Sequence, residues 1–197
     1  PVVALYATFL NRAYDQLLMD VAMHRAPVTV VLDRAGITGA DGASHNGMWD
    51  IAMAAMIPGM RLAAPRDEAT LRSQLRQAVA IDDGPSLVRY RKGSMPAPIK
   101  ALESLEGMDW LYRSHKQGAG KRVLLVAAGA MAEPMLAAAA QLEALGYVPD
   151  VIDPCWLLPI NPALVELTRG YDLVVSAEDG LVDGGFGSAL RDQMELA

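Results

Sequence analysis

Val28-Thr29-Val30-Val31-Leu32 runs straight into Asp33-Arg34-Ala35-Gly36-Ile37-Thr38-Gly39-Ala40-Asp41-Gly42-Ala43-Ser44-His45-Asn46-Gly47. The first five residues are apolar or β-branched and read as a strand buried on both faces. The fifteen that follow hold four glycines and a single bulky apolar residue, Ile37. So many glycines let the backbone enter left-handed conformations and come close to a ligand. Asp33, Arg34, Asp41 and His45 are spread among them. A charged, glycine-rich loop leaving a buried strand is where α/β proteins place their chemistry. Residue types alone leave a solvated surface loop as the other reading.

Upstream, Val2 to Leu5 has the apolar run of a second buried strand. Leu10, Ala13, Tyr14, Leu17, Leu18 and Val21 then recur at helical spacing, with Asn11, Asp15, Gln16 and Asp20 opposite. This predicts an amphipathic helix over Phe9–His24, capped by Thr8 and ended near Pro27. Tyr6 closes the strand, and Phe9 and Arg12 sit in the first helical turns, so all three can face the crevice above a parallel sheet. From residue types alone, core packing for Tyr6 and Phe9 and a solvated charge for Arg12 are favoured over a pocket.

Downstream, a helix is expected over Met48–Met56, a short strand over Arg61–Ala64, and a helix capped by Asp67 with Leu71, Leu75 and Val79 on one face. Ser86–Tyr90 reads as a strand ending in Arg91-Lys92-Gly93. Residues 94–120 are rich in Pro, Gly, Ser and charge and read as a linker that leads into an edge strand near Asp109–Arg113. From Lys121 the alternation resumes, with strands at Arg122–Ala127, Val148–Ile152 and Leu173–Ala177 and helices at Met131–Leu145, Pro162–Thr168 and Ser188–Leu196. The expected fold class is α/β: two three-layer α/β/α domains with mostly parallel sheets, over residues 1–93 and 121–197. Both ends of the sequence fall inside element patterns, which leads us to expect a piece of a longer chain.

The chain has 197 residues, 52% of them hydrophobic and 20% charged, and a net charge of -6. No basic stripe is present, which argues against nucleic acid as a partner. The apolar runs fall well short of the roughly 20 residues a membrane helix needs, so no membrane association and a cytoplasmic location are expected. One cysteine and three histidines rule out a disulfide framework and argue against structural zinc. Cys155 reads as inert core, and Gly184 to Gly187 as a tight turn or close-packing site rather than a phosphate cradle.

Four segments together resemble the 1-deoxy-D-xylulose-5-phosphate synthase family, a transketolase-like, thiamine diphosphate-dependent family. They are Tyr6 to Gln16; Asp33 to Gly47; Asp83 to Ser86 with Arg89 to Gly93; and Glu178-Asp179-Gly180 with Gly184 to Ser188. The resemblance implies condensation of pyruvate with D-glyceraldehyde 3-phosphate and release of CO₂. It implies that residues 1–93 form most of a pyrimidine-binding domain and 121–197 much of a C-terminal domain. The parts that hold the cofactor's diphosphate and Mg²⁺ would lie outside this chain, so the piece alone is expected to be inactive. A homodimer is implied.

By position in the family, Tyr6, Phe9 and Arg12 would line the cofactor's pyrimidine side. Arg34 would hold the acceptor's phosphate, where a guanidinium fits two oxygens at once. Asp41 and His45 would be the polar pair beside the reacting carbon, histidine being the residue type best suited to exchanging protons near neutral pH. Lys92 would sit on phosphate where the family usually has arginine, keeping the charge without the planar fork. In the C-terminal half no residue stands out for chemistry; Glu178 is its best candidate, with a structural role favoured. Two alternatives stay open: a transketolase or 2-oxoacid dehydrogenase E1β-type chain with another donor, and a non-catalytic, flavodoxin-like dimerisation module.

Overall fold

The computed structural model describes residues 1–115 and 120–196. Residues 116–119, within the expected linker, and Ala197 lie outside the described residues. The strands are β1 (Val2–Tyr6), β2 (Thr29–Ala35), β3 (Arg61–Ala63), β4 (Ser86–Arg91), β5 (Glu103–Leu105), β6 (Met108–Arg113), β7 (Arg122–Ala127), β8 (Val148–Asp153), β9 (Trp156–Leu158) and β10 (Leu173–Ala177). They form two mixed, mostly parallel sheets. One has the order β1-β2-β4-β3-β9, with β9 alone antiparallel. The other runs β10-β7-β8-β6-β5, with β6 antiparallel to β8 and β5 antiparallel to β6.

Helices α1 (Tyr14–Gln16), α2 (Asp50–Ala55), α3 (Glu68–Ala80), α4 (Ala132–Ala144), α5 (Pro162–Thr168) and α6 (Phe186–Leu196) connect the strands. Local chemistry sets their starts. Asp67 accepts from the Thr70 amide at 2.8 Å while the Thr70 hydroxyl accepts from the Asp67 amide at 3.0 Å, a reciprocal cap for α3. Asn161 caps α5, with Pro162 opening it. No described helix is long and apolar enough to cross a membrane.

Six local expectations need correction. Strand β1, read as buried, lies at a sheet edge with Val2 and Val3 exposed. Strand β6, read as an edge, is an inner strand, because β5, within the expected linker, pairs along its far side. The segment expected as one helix over Phe9–His24 is a 3₁₀ turn (Ala7–Arg12), the three residues of α1 and a π-helical stretch (Leu17–Ala22). Thr8 does not cap it; its hydroxyl donates to the Ser44 carbonyl at 2.8 Å, so the turn is shaped by the loop it supports. On α3 the buried stripe runs through Gln74 and Ala78, while Val79 is 54% exposed. Finally, β9 had no counterpart in the sequence reading. It follows β8 after only Pro154 and Cys155, whose φ of 61° turns the chain, and it pairs with β3 across the molecule instead of extending β8.

The two sheets share one core. Leu32, Leu62 and Leu87 of the first and Leu124, Val126 and Ile152 of the second are buried in a single cluster. A second tie is ionic. Arg66, just before α3, is buried and donates to Asp153 at 2.8 Å, with Asp109 at 2.6 Å from the same nitrogen. Complete burial pushes the Asp153 carboxyl up to about 6, against the pull of Arg66. Cys155 is only partly buried as a residue, yet burial raises its thiol pKa and keeps it protonated.

Candidate functional site

Strand β2 is longer than its apolar run. It continues through Asp33 and Arg34 to Ala35, and its register against β4 shifts between Leu32 and Ala35. Arg34 sits at this irregularity with φ of 60°, a left-handed conformation that a non-glycine residue holds only when its surroundings impose it. The bulge re-aims the arginine side chain towards β1, where its guanidinium lies 4.7 Å from the centre of the Tyr6 ring.

The rest of the loop is closed at its neck. Gly36 and Gly47 exchange both backbone hydrogen bonds at 2.9 Å. A side chain at Gly47 would meet the Ala7 methyl at 2.5 Å, so the loop's return lies directly on the turn after β1. Inside the loop, Asn46 Oδ1 accepts from the Thr38 amide and the Thr38 hydroxyl, both at 2.9 Å. The Trp49 ring N–H donates to Asn11 at 3.1 Å, and with the Thr8–Ser44 bond it joins loop and turn.

This closure gathers all seven residues singled out from the sequence. The Tyr6 hydroxyl donates to Asp41 at 2.9 Å, and Lys92 Nζ donates to the other Asp41 oxygen at 2.6 Å. The rings of Tyr6, Phe9 and His45 form an edge-to-face trio, with centroids 5.6 Å apart for Tyr6–Phe9, 5.7 Å for Tyr6–His45 and 6.1 Å for Phe9–His45. Arg12 lies over the Phe9 ring at 5.1 Å. The Lys92 and Tyr6 hydrogen bonds hold the Asp41 carboxyl below the ordinary aspartate range. Desolvation, then Asp41, raises the Tyr6 phenol above its usual value, so it stays a donor. Ser44 Oγ is 2.9 Å from His45 Nδ1, which occupies that nitrogen and leaves Nε2 for another partner. Arg91 is exposed, beside Lys92.

The result is an open patch with three cationic side chains, two paired carboxylates (Asp41 on Lys92, and Asp33 3.8 Å from Arg34 Nε), one imidazole and an aromatic wall whose Phe9 is 40% exposed. It can stack a flat heteroaromatic ring and bind an anion nearby. Glu178, by contrast, is spent on structure. Its carboxylate accepts from the Phe186 and Gly187 amides, both at 2.8 Å, and so fills the N-terminus of α6 where a phosphate could have sat.

Two family models divide the chain between them: the transketolase pyrimidine-binding domain over residues 1–98 and the transketolase C-terminal domain over residues 113–196. The chain belongs to the transketolase family. Its full length is 55% identical to 1-deoxy-D-xylulose-5-phosphate synthase of Frankia casuarinae and to 1-deoxy-D-xylulose-5-phosphate synthase 1 of Kitasatospora griseola. It is 51% identical, again over its full length, to the 1-deoxy-D-xylulose-5-phosphate synthase of Corynebacterium glutamicum. It spans only 30–32% of the length of these relatives. Among solved structures, a split-gene transketolase described as an inactive β4 tetramer superposes with a TM-score of 0.84 at 30% identity, covering all of this chain and 63% of that one. A transketolase of Campylobacter jejuni shares the fold, with a TM-score of 0.71 at 17% identity over all of this chain and 35% of that one.

Sequence reasoning missed what holds this transketolase-type loop in place. Thr38 and Asn46 look like ordinary loop polars, and their bond is invisible without coordinates. Arg89 did leave a signal, because a charge inside the apolar strand Ser86-Leu87-Val88-Arg89-Tyr90 must be buried with a partner.

Proposed function

We propose that this chain supplies the pyrimidine-binding and C-terminal domains of a thiamine diphosphate-dependent 1-deoxy-D-xylulose-5-phosphate synthase, which joins pyruvate to D-glyceraldehyde 3-phosphate with loss of CO₂. The observation that carries the reading is the convergence of Tyr6, Phe9, Arg12, Arg34, Asp41, His45 and Lys92 around one loop. Identity of 51–55% to relatives of that name supports it.

The residues suit the cofactor. A half-exposed aromatic wall beside a histidine is the surface a flat aminopyrimidine ring would meet. Bound there, thiamine diphosphate supplies the electron sink for decarboxylation. Its diphosphate and Mg²⁺ belong, in this reading, to a domain beyond this chain. Arg34 takes the acceptor's phosphate in bidentate fashion, a remote handle that orients the aldehyde. Lys92 joins it by exchanging one Asp41 oxygen for a phosphate oxygen. His45 Nε2 donates to the aldehyde oxygen as negative charge develops on it, while Ser44 holds Nδ1. Asp41, relieved of Lys92, keeps the Tyr6 hydroxyl as its donor. A cytoplasmic homodimer is the proposed form.

Product analysis of the full-length protein tests this. Product from pyruvate with D-glyceraldehyde 3-phosphate, and none from a ketose phosphate donor, supports the synthase. The reverse preference replaces it with transketolase. No turnover of either, with no thiamine diphosphate bound by calorimetry, leaves a non-catalytic module.

A further inference from the structure

Arg89 is the best-buried cation of the first sheet, with its side chain 3% exposed. It is shared between the two halves of the chain. Its Nε donates to Asp50 Oδ2 at 2.7 Å. One terminal nitrogen donates to Asp179 Oδ1 at 2.6 Å, and the other reaches the Asp179 carbonyl at 3.3 Å. Asp50 opens α2, three residues after the loop's exit at Gly47. Asp179 comes from the turn after β10, in the C-terminal half.

The second Asp179 oxygen lies on the loop's entrance. A Cβ built on Gly36 would fall 2.0 Å from Asp179 Oδ2 and 2.6 Å from Cγ. Gly36 also needs a positive φ, 76°, so both its conformation and its bare α-carbon are used by this contact. The same turn reaches the loop's exit. A Cβ at Gly180 would sit 3.5 Å from the Met48 carbonyl, and one at Gly184 3.2 Å from the Ala52 methyl. The C-terminal half therefore sits directly on the loop's entrance at Gly36 and packs against the segment that follows its exit at Gly47, and Arg89, bonded to both Asp179 and Asp50, ties the two sides together.

We propose that Asp179 is a positioning residue for the acceptor aldehyde: through Arg89 and Gly36 it fixes the neck of the loop that carries Arg34, Asp41 and His45. The inference rests on the synthase reading for its substrate and on geometry alone for its effect on the loop. It gives the C-terminal domain a task at the pocket formed on the first domain. Loop placement matters because a catalytic group displaced by about 1 Å can lose about 100-fold in rate.

The test uses the full-length protein with Asp179→Ala and Asp179→Asn. Hydrogen exchange is followed by mass spectrometry in peptides covering residues 36–47, alongside KM for each substrate and calorimetric binding of thiamine diphosphate. Asp179→Ala should speed exchange in those peptides about tenfold and raise KM for the phosphorylated aldehyde about tenfold, while KM for pyruvate and cofactor affinity stay within about twofold. Asp179→Asn keeps the shape against Gly36 and one acceptor for Arg89, so it should recover most of both effects. Unchanged exchange in the loop, or equal losses for both substrates, overturns the proposal. Should Asp179→Ala not fold, Asp179→Asn decides: a rise of about threefold confined to the aldehyde KM supports it, and no selective rise overturns it. Should the wild-type protein make no product from pyruvate and the aldehyde, the synthase reading fails, and the exchange data still decide whether Asp179 holds the loop.

Discussion

Replacing Arg89 by Met removes a charge of which only 3% of the side chain is exposed and keeps much of its volume. Asp50 is the group that suffers. Its side chain is wholly buried, and burial already raises its carboxyl above the ordinary range even with Arg89 pulling the other way. Without Arg89 its remaining hydrogen-bond partner among the described residues is the Ile51 amide at 2.9 Å. Removing one member of a buried pair costs about 3–5 kcal/mol, because the other charge is left uncompensated. For a chain of this size, about 2–4 °C per kcal/mol gives a fall in melting temperature of roughly 6–20 °C.

The loss should also depend on pH, with a definite sign. In the variant, the folded-state pKa of Asp50 rises further above its unfolded value. Stability is then fully present below the unfolded value and is lost as pH rises through the folded one. Urea unfolding of wild type and variant at about pH 5 and about pH 8 should show the larger deficit at the higher pH. Adding Asp50→Asn should recover part of it, since no orphan charge is left. A deficit under about 1 kcal/mol at about pH 8, or one equal at both pH values, refutes the reasoning.

Three further outcomes follow from the same contacts. His45→Ala in the full-length protein should lower kcat by roughly 100-fold or more and leave calorimetric cofactor binding within about twofold, since the imidazole is assigned to the developing alkoxide. Unchanged turnover removes it from the chemistry. Arg34→Ala should raise KM for D-glyceraldehyde 3-phosphate and spare pyruvate in steady-state kinetics; an equal loss for pyruvate argues against a phosphate contact. Asp153, raised to about 6 from an ordinary value of 3.8, stabilises the fold below about pH 4 and loses that contribution as pH rises through 6. Between about pH 5 and 7 urea unfolding should show a loss on the order of 1 kcal/mol, a slope that Asp153→Asn flattens.

The β/α rhythm was legible because the central parallel strands are largely buried and read as unbroken apolar runs, as at Val30 to Leu32 and Leu124 to Val126, while the edge strands β1 and β10 keep the apolar run yet are exposed. Elements set by long-range contacts were not. The turn after Tyr6 looks helical by period, yet Thr8 is drawn to Ser44 and the backbone divides into 3₁₀, α and π segments. Gln74 takes a buried place on α3 because its amide donates to the Cys155 carbonyl at 3.1 Å, a bond 81 positions away. The seven pocket residues were found by resemblance to a family, and the structure brings them together. Residue types alone favoured core for Tyr6 and Phe9, because nothing local reveals that a loop 30 residues on will close over them. The Asp50–Arg89–Asp179 clamp joins three distant segments, and only the buried arginine hinted at it.

The central claim is that the Asp33–Gly47 loop is one side of a pocket that holds a phosphorylated aldehyde over thiamine diphosphate. A crystal structure of the full-length protein with the cofactor and an unreactive phosphorylated aldehyde analogue tests it most directly. The account predicts the phosphate on the guanidinium of Arg34, Lys92 turned from Asp41 towards it, and the Tyr6–Phe9–His45 wall along the pyrimidine. A phosphate bound elsewhere, with Lys92 still on Asp41 and no ring against that wall, contradicts it.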